Sequence, residues 1–179
     1  MPLNKKVLLV VTGSISAYKS ASVARLLVKA GCEVKVILTK GGAQFITPLT
    51  LATVSKNPVI TEFYNKQNGE WHNHVELGEW ADLILVAPAS ANVMAHFANG
   101  LCNNVLHATY LSAKSKVLVC PAMDHDMWHH KSVQRNIATL KSDGIIVMPP
   151  EKGELASGIF GDGRLPEPEN IISFIEDNI

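Results

Sequence analysis

Short apolar runs alternate with amphipathic stretches along this chain, and the alternation predicts its elements. Lys6–Val11 (KVLLVV) is almost continuously apolar, the pattern of a parallel strand covered on both faces. Ala17, Ala21, Ala24, Leu27 and Val28 recur at helical spacing over Ala17–Ala30, and Gly31 supplies the stop. Glu33–Leu38 (EVKVIL) reads as a second strand; 42–55 reads as helix, split in two by Pro48. Further strands are predicted over Leu83–Ala87, Lys116–Cys120 and Ile145–Met148, and helices over Ser90–Asn99, Asn104–Ala113, Ser132–Lys141 and Pro168–Asp177. Such alternation predicts an α/β fold, a doubly wound and mostly parallel sheet with helices on both faces, Rossmann- or flavodoxin-like. Residues 62–73 and 149–169 read as loops, and loops of that length usually carry function.

Composition narrows the partners. A chain of 179 residues suits one domain, expected over 1–179. Sixteen basic and sixteen acidic residues balance, which argues against nucleic acid or an acidic membrane surface as the main partner. Cys32, Cys102 and Cys120 fit neither a disulfide framework nor a zinc cluster. His125 and His129 stand four apart on a possible helix, but no third ligand follows at zinc spacing, so no metal is expected. The first apolar run, Val7–Val11, is too short for a signal peptide, and a cytoplasmic protein is expected. From Leu83 to Ala113 there is no Asp, Glu, Lys or Arg. Pro88, Asn92, His96 and Asn99 interrupt the run, so it reads as a segment covered by a ligand or another subunit rather than a membrane span.

In a doubly wound sheet, ligands sit beyond the C-terminal ends of the strands, so the turns after each strand hold the candidate chemistry. Thr12-Gly13-Ser14-Ile15-Ser16-Ala17-Tyr18-Lys19 has one glycine where a dinucleotide fingerprint needs three, and Tyr18 stands where a Walker loop needs glycine. It is either a plain strand–helix turn or a cradle for a single phosphate on free N–H groups. Thr39-Lys40-Gly41-Gly42 and Pro88-Ala89-Ser90-Ala91-Asn92 repeat the small-polar pattern; singly each is an N-cap, together they suit a monophosphorylated cofactor. Cys120-Pro121-Ala122-Met123-Asp124 adds a stiff turn and a thioether able to pack on a flat ring. His74 is either a packed ring or a base poised near neutrality. Gly153–Arg164 carries four glycines, the composition of a hinged lid or of a plain surface loop; Leu155, Ile159 and Phe160 argue that it docks on something.

GSISAYK (13–19), LTKGGAQF (38–45), NHVELGEWAD (73–82), APASAN (87–92), PAMD (121–124) and ELASGIFGDGR (154–164), in this order, resemble the homo-oligomeric flavin-containing cysteine decarboxylases. The likeness is strongest to the branch that acts on phosphopantothenoylcysteine in coenzyme A biosynthesis. The resemblance implies FMN held by Gly13, Ser14 and Ile15, by Thr39, Lys40 and Gly41, and by Ser90, Ala91, Asn92 and Val93, with Ala122 beside the ring. It implies His74 and the residue at Ser157 as catalytic, and Met123, Asp124, Glu154, Leu155 and Ala156 against the substrate. It also implies oxidation of the terminal cysteine by FMN to a thioaldehyde, loss of carbon dioxide, and return of the hydride to give 4′-phosphopantetheine. Finally, it implies trimers or multiples of trimers with the site between subunits, and a synthetase domain fused or separate.

Two positions depart from the family pattern. Asp124 replaces the usual Asn, and two carboxylates ~4 Å apart at an effective dielectric of ~20 would repel by about 4 kcal/mol. Asp124 is therefore protonated, turned away or offset by a cation such as Arg164. Ser157 replaces a cysteine that serves as proton donor, and a hydroxyl is a far weaker acid than a thiol. That substitution also suits a peptidyl-cysteine decarboxylase that releases the ene-thiol unreduced. A non-catalytic flavin-binding regulator and a flavin prenyltransferase relative are the remaining readings; the first turn is not the latter's serine- and glycine-rich one.

Overall fold

Alternate side chains of the first strand, β1 (Lys6–Val11), enter two different cores. Val7, Leu9 and Val11 face one and Leu8 and Val10 the other, all fully buried. Burying such a side chain contributes about 1.5–3 kcal/mol, so the strand is fixed from both sides. The computed structural model describes residues 3–179; Met1 and Pro2, the start of the predicted domain, lie outside the described residues. After β1 come a 3₁₀ turn (Ile15–Lys19), α1 (Ser20–Lys29), β2 (Glu33–Leu38), a second 3₁₀ turn (Gly42–Gln44), α2 (Pro48–Ser55), β3 (Val59–Ile60) and α3 (His74–Trp80). Then follow β4 (Leu83–Ala89), α4 (Ala91–Ala98), α5 (Val105–Ser112), β5 (Lys116–Pro121), α6 (His125–His129), α7 (Lys131–Ser142) and β6 (Ile146–Val147). The chain closes with a hairpin, β7 (Glu151–Glu154) and β8 (Phe160–Arg164), and α8 (Pro168–Asn178).

The six-stranded sheet is parallel with order β3-β2-β1-β4-β5-β6, the doubly wound arrangement expected. Strand order reverses between β1 and β4, which opens a crevice at their C-terminal ends. Helices α1, α2 and α8 cover one face; α3, α4, α5 and α7 cover the other.

Three expectations change. The first helix begins as the 3₁₀ turn, because Ser14 caps Ser16 and only from Ser20 does the helical spacing bury Val23, Ala24 and Leu27. The region 149–169 is not a loop: it holds the β7–β8 hairpin, with Gly153 paired to Gly161. The strand over Ile145–Met148 shortens to Ile146–Val147 at the sheet edge. The charge-free run buries β4 completely, yet leaves Leu101 and Leu111 about half exposed, so the chain's own fold covers it in part. Among the described residues, no helix is long and apolar enough to cross a membrane.

Candidate active site

Buried hydroxyls build the floor of the crevice. Thr12 follows β1 directly; its Oγ1 donates to the Pro88 carbonyl at 2.7 Å and accepts from the Ser90 N–H at 2.9 Å. Ser20 Oγ donates to the Ala87 carbonyl at 2.7 Å. Both side chains are fully buried and hold the end of β4, where Ala87–Pro88 is cis, against the first turn. Ser90 caps α4 by accepting from Val93 N–H, and Thr39 Oγ1 accepts from Gly42 N–H. The turns come very close: a Cβ on Gly13 would press on the Gly41 backbone at 3.2 Å.

The opposite wall is the β5–α6 turn with the hairpin laid upon it. Met123 N–H donates to the Gly163 carbonyl at 3.0 Å; Gly163 has φ +135°, and a side chain there would run into the Met123 carbonyl. Ser157 Oγ donates to Asp124 Oδ2 at 2.5 Å. This bond, with help from the N–H groups of Asp126 and His125, holds the Asp124 carboxyl below its ordinary value. Asp124 is therefore ionised, and Arg164 does not offset it: Arg164 pairs with Glu167 at 2.6 Å. Glu167 also receives the buried Lys19 at 2.9 Å, and Lys19 donates to the Leu165 carbonyl at 3.0 Å. The two cations, Lys19 first, depress the Glu167 carboxyl.

Two cavities adjoin in this crevice. The larger, about 710 Å³, is lined by Gly13, Thr39, Lys40, Gly41, Ser90, Ala91, Asn92 and Val93 and reaches Phe63 and His107. The smaller, about 550 Å³, is lined by Gly13, Ser14, Ile15, Ala122, Met123, Asp124, Glu154, Leu155, Ala156 and Ser157. Gly13, Ser90, Ala91 and Met127 belong to both. Every predicted site residue but one thus lines one of these two cavities. The exception is His74, which opens α3 behind Phe63, ring centroids 6.0 Å apart and edge to face. Its Nδ1 is buried without a hydrogen-bond partner among the described residues.

Several contributing residues escaped the sequence reading. Thr12 and Ser20 were legible only as polar groups beside a strand. Asp162 is brought by the hairpin to within reach of His125 and His129, a third ligand atom, and an oxygen, that linear spacing could not supply. These groups already bond one another: Asp162 N–H donates to His125 Nδ1 at 3.1 Å, and His129 Nε2 meets Asp162 Oδ2 at 3.0 Å. A bare Nδ1 leaves the proton of neutral His125 on Nε2, so the trio stands as a clamp of the hairpin on α6. Phe160 and Ile159, expected to dock, are 70% and 45% exposed on their own chain.

Comparison with known proteins agrees with this geometry. The chain is 43% identical over 173 residues to the coenzyme A biosynthesis bifunctional protein CoaBC of Bacillus subtilis, covering 97% of this chain and 43% of that protein. It is 51% identical over 127 residues to a cysteine/cysteine sulfinic acid decarboxylase of an unknown prokaryotic organism, covering 71% of this chain and 35% of that one. The chain thus spans less than half the length of these two relatives. It is 40% identical over 179 residues to a probable phosphopantothenoylcysteine decarboxylase of Streptococcus mutans, covering 99% of this chain and 100% of the relative. A solved PPC decarboxylase, a cysteine-to-serine mutant complexed with pantothenoylaminoethenethiol, superposes with a TM-score of 0.84 at 31% identity over 96% of each chain. The flavoprotein family profile matches residues 1–179, and the chain belongs to that family.

Proposed function

We propose that this chain is an FMN-dependent decarboxylase that converts 4′-phosphopantothenoylcysteine to 4′-phosphopantetheine, acting in the cytoplasm as one flavoprotein domain. The observation that carries the reading is the pair of adjoining cavities at the sheet's switch point. One is walled by three strand-tip turns, the other by the hairpin, and they share Gly13, Ser90 and Ala91. The residues fit the cofactor: Gly13 and Gly41 let the first two turns pack backbone to backbone, and the cavity they border is lined at three successive turns by small polar residues, among them Thr39, Ser90 and Asn92. Gly13, Ser14, Ile15, Thr39, Lys40, Gly41, Ser90, Ala91, Asn92 and Val93 would hold FMN, with Ala122 at its ring. When bound, FMN supplies the two-electron oxidation next to the thiol that lets the carboxylate depart.

The protein's own groups then have these roles. Met123, Glu154, Leu155 and Ala156 enclose the substrate against the hairpin and exclude water. The proton of Ser157 is directed at Asp124, so the hydroxyl fastens the hairpin instead of serving as a ready acid. His74 lines neither of these two cavities of its own chain; a second copy, in a trimer or multiple of trimers, would bring its imidazole to the substrate as base. A synthetase partner, fused or separate, accords with the relatives' names.

A second reading has one specific observation behind it. Ionised Asp124 suits an α-ammonium group, which free cysteine and cysteine sulfinate carry and the amide-linked cysteine of phosphopantothenoylcysteine lacks. The 51%-identical relative is named for those amino acids. Mass spectrometry of products from phosphopantothenoylcysteine and from L-cysteine separates the readings. Loss of carbon dioxide alone from the first substrate supports the main proposal. Additional loss of two hydrogens supports ene-thiol release, turnover of cysteine alone supports the second reading, and no turnover of either leaves a flavin-binding regulator.

A further inference from the structure

A chain of side chains running from α4 to α5 ends in an unused nitrogen. The backbone carbonyl of Asn92 can only accept, so His96 Nδ1, 2.8 Å away, carries a hydrogen. Neutral His96 then has a bare Nε2, and the group opposite it at 3.3 Å must be the donating amide nitrogen of Asn103, Nδ2. That places Asn103 Oδ1 against His107 Nδ1 at 2.9 Å, so this nitrogen also bears its hydrogen. His107 Nε2 is left as a bare acceptor. One fixed carbonyl thus sets the tautomer of a ring two links away.

The acceptor is buried and idle. His107 is 2% exposed, and its Nε2 has no partner among the described residues. The ring is held by stacking on His96, centroids 4.5 Å apart, and by an edge contact with Phe97. Burial, and secondarily the charge that His96 can carry, push the His107 imidazole down to about 4, so it is neutral in ordinary buffers. A buried acceptor without a donor is costly, and such groups in native proteins call for an explanation. His107 lines the larger cavity, and although Nε2 itself is closed to water in this structure, that cavity is the side from which a ligand's donor would approach it. An oxidised isoalloxazine offers several acceptors around its rim and a single N–H.

We infer that His107 Nε2 accepts a hydrogen bond from the ring N–H of the bound flavin, with Asn103 and His96 as positioning residues that keep the nitrogen bare. The inference rests on the FMN reading and adds a recognition element outside the strand-tip turns.

The test uses the full chain stripped of flavin, with FMN as the probe and fluorescence quenching as the readout. His107→Leu is expected to weaken FMN on the order of 10-fold, the scale of one lost hydrogen bond left unmatched. Asn103→Leu removes the acceptor of Nδ1–H, frees the tautomer and is expected to weaken binding as well. Ring ¹⁵N shifts of the flavin-free parent are expected to show Nε2 without a proton, a readout independent of whether His107→Leu folds. A proton on Nε2 there, or FMN affinity unchanged in both leucine variants, overturns the assignment while leaving FMN binding intact. A parent chain that takes up no FMN overturns the flavin reading itself, and the assignment with it.

Discussion

The two walls of the crevice are built on different principles. The strand-tip wall is made of backbone and fully buried hydroxyls: Thr12 and Ser20 answer three groups of β4 and its turn, and two glycines touch. The hairpin wall is held by side chains near water: Ser157 on Asp124, His129 on Asp162, Arg164 on Glu167. Buried hydrogen bonds lose the full desolvation cost when a partner goes, while exposed ones are replaced by water. The first wall is therefore preorganised and intolerant, the second adjustable. A resident cofactor suits the former, and a substrate that enters and leaves suits the latter.

The largest effect is predicted for a residue in neither wall. His74→Asn is expected to abolish decarboxylation with flavin content unchanged; full turnover would remove His74 from the mechanism. In the rigid wall, Gly13→Val presses a branched side chain onto the Gly41 backbone, where the first two turns meet. We predict loss of FMN uptake with a stability cost of about 1–3 kcal/mol by urea unfolding, and a variant isolated yellow would show that the turns yield more than the packing implies. Thr12→Val strands the Pro88 carbonyl and Ser90 N–H together, for a predicted cost of about 2 kcal/mol. A loss within error would mean that water reaches this floor. In the adjustable wall the effects should be small. Ser157→Ala is predicted to leave global stability nearly unchanged while raising the Asp124 titration midpoint toward the ordinary 3.8.

The sign of the acid response follows from that last shift. Asp124 is depressed in the folded chain, so its bond to the hairpin is present above the ordinary carboxylate value and is lost as pH falls through the folded one. Hairpin contacts seen by NMR should persist from pH 5 to 8 and disappear only in acid below ~3.8. A midpoint well above that range would show that Asp124 does not control the contact.

The sheet was legible because β1, β2, β4 and β5 are apolar runs buried on both faces, and no other local structure hides such runs as well. The site's location followed from topology alone, since a parallel sheet gathers its post-strand turns at one edge. The hairpin was not legible. Gly153, Gly158, Gly161 and Gly163 erase the alternation that marks a strand; Gly161 and Gly163 are there because β8 lies against His125 and Met123, and Gly153 makes room for the Arg164 side chain. Helix α3 was hidden by its brevity: Asn73 caps it, but only Leu77 and Gly78 are buried. Pairings such as Ser157 with Asp124 join residues 33 positions apart and leave no trace in spacing.

Lys19 has a consequence that neither wall has alone. This buried ammonium closes the first 3₁₀ turn and simultaneously grips Leu165 and Glu167 at the root of the hairpin. Whatever settles the turn should also settle the hairpin, and by thermodynamic reciprocity the converse holds. Protease cleavage near Ser157 should accordingly slow when FMN is loaded, and an inhibitor gripped by the hairpin should delay escape of the flavin. A single concealed cation would thus make occupancy at one end of the crevice audible at the other.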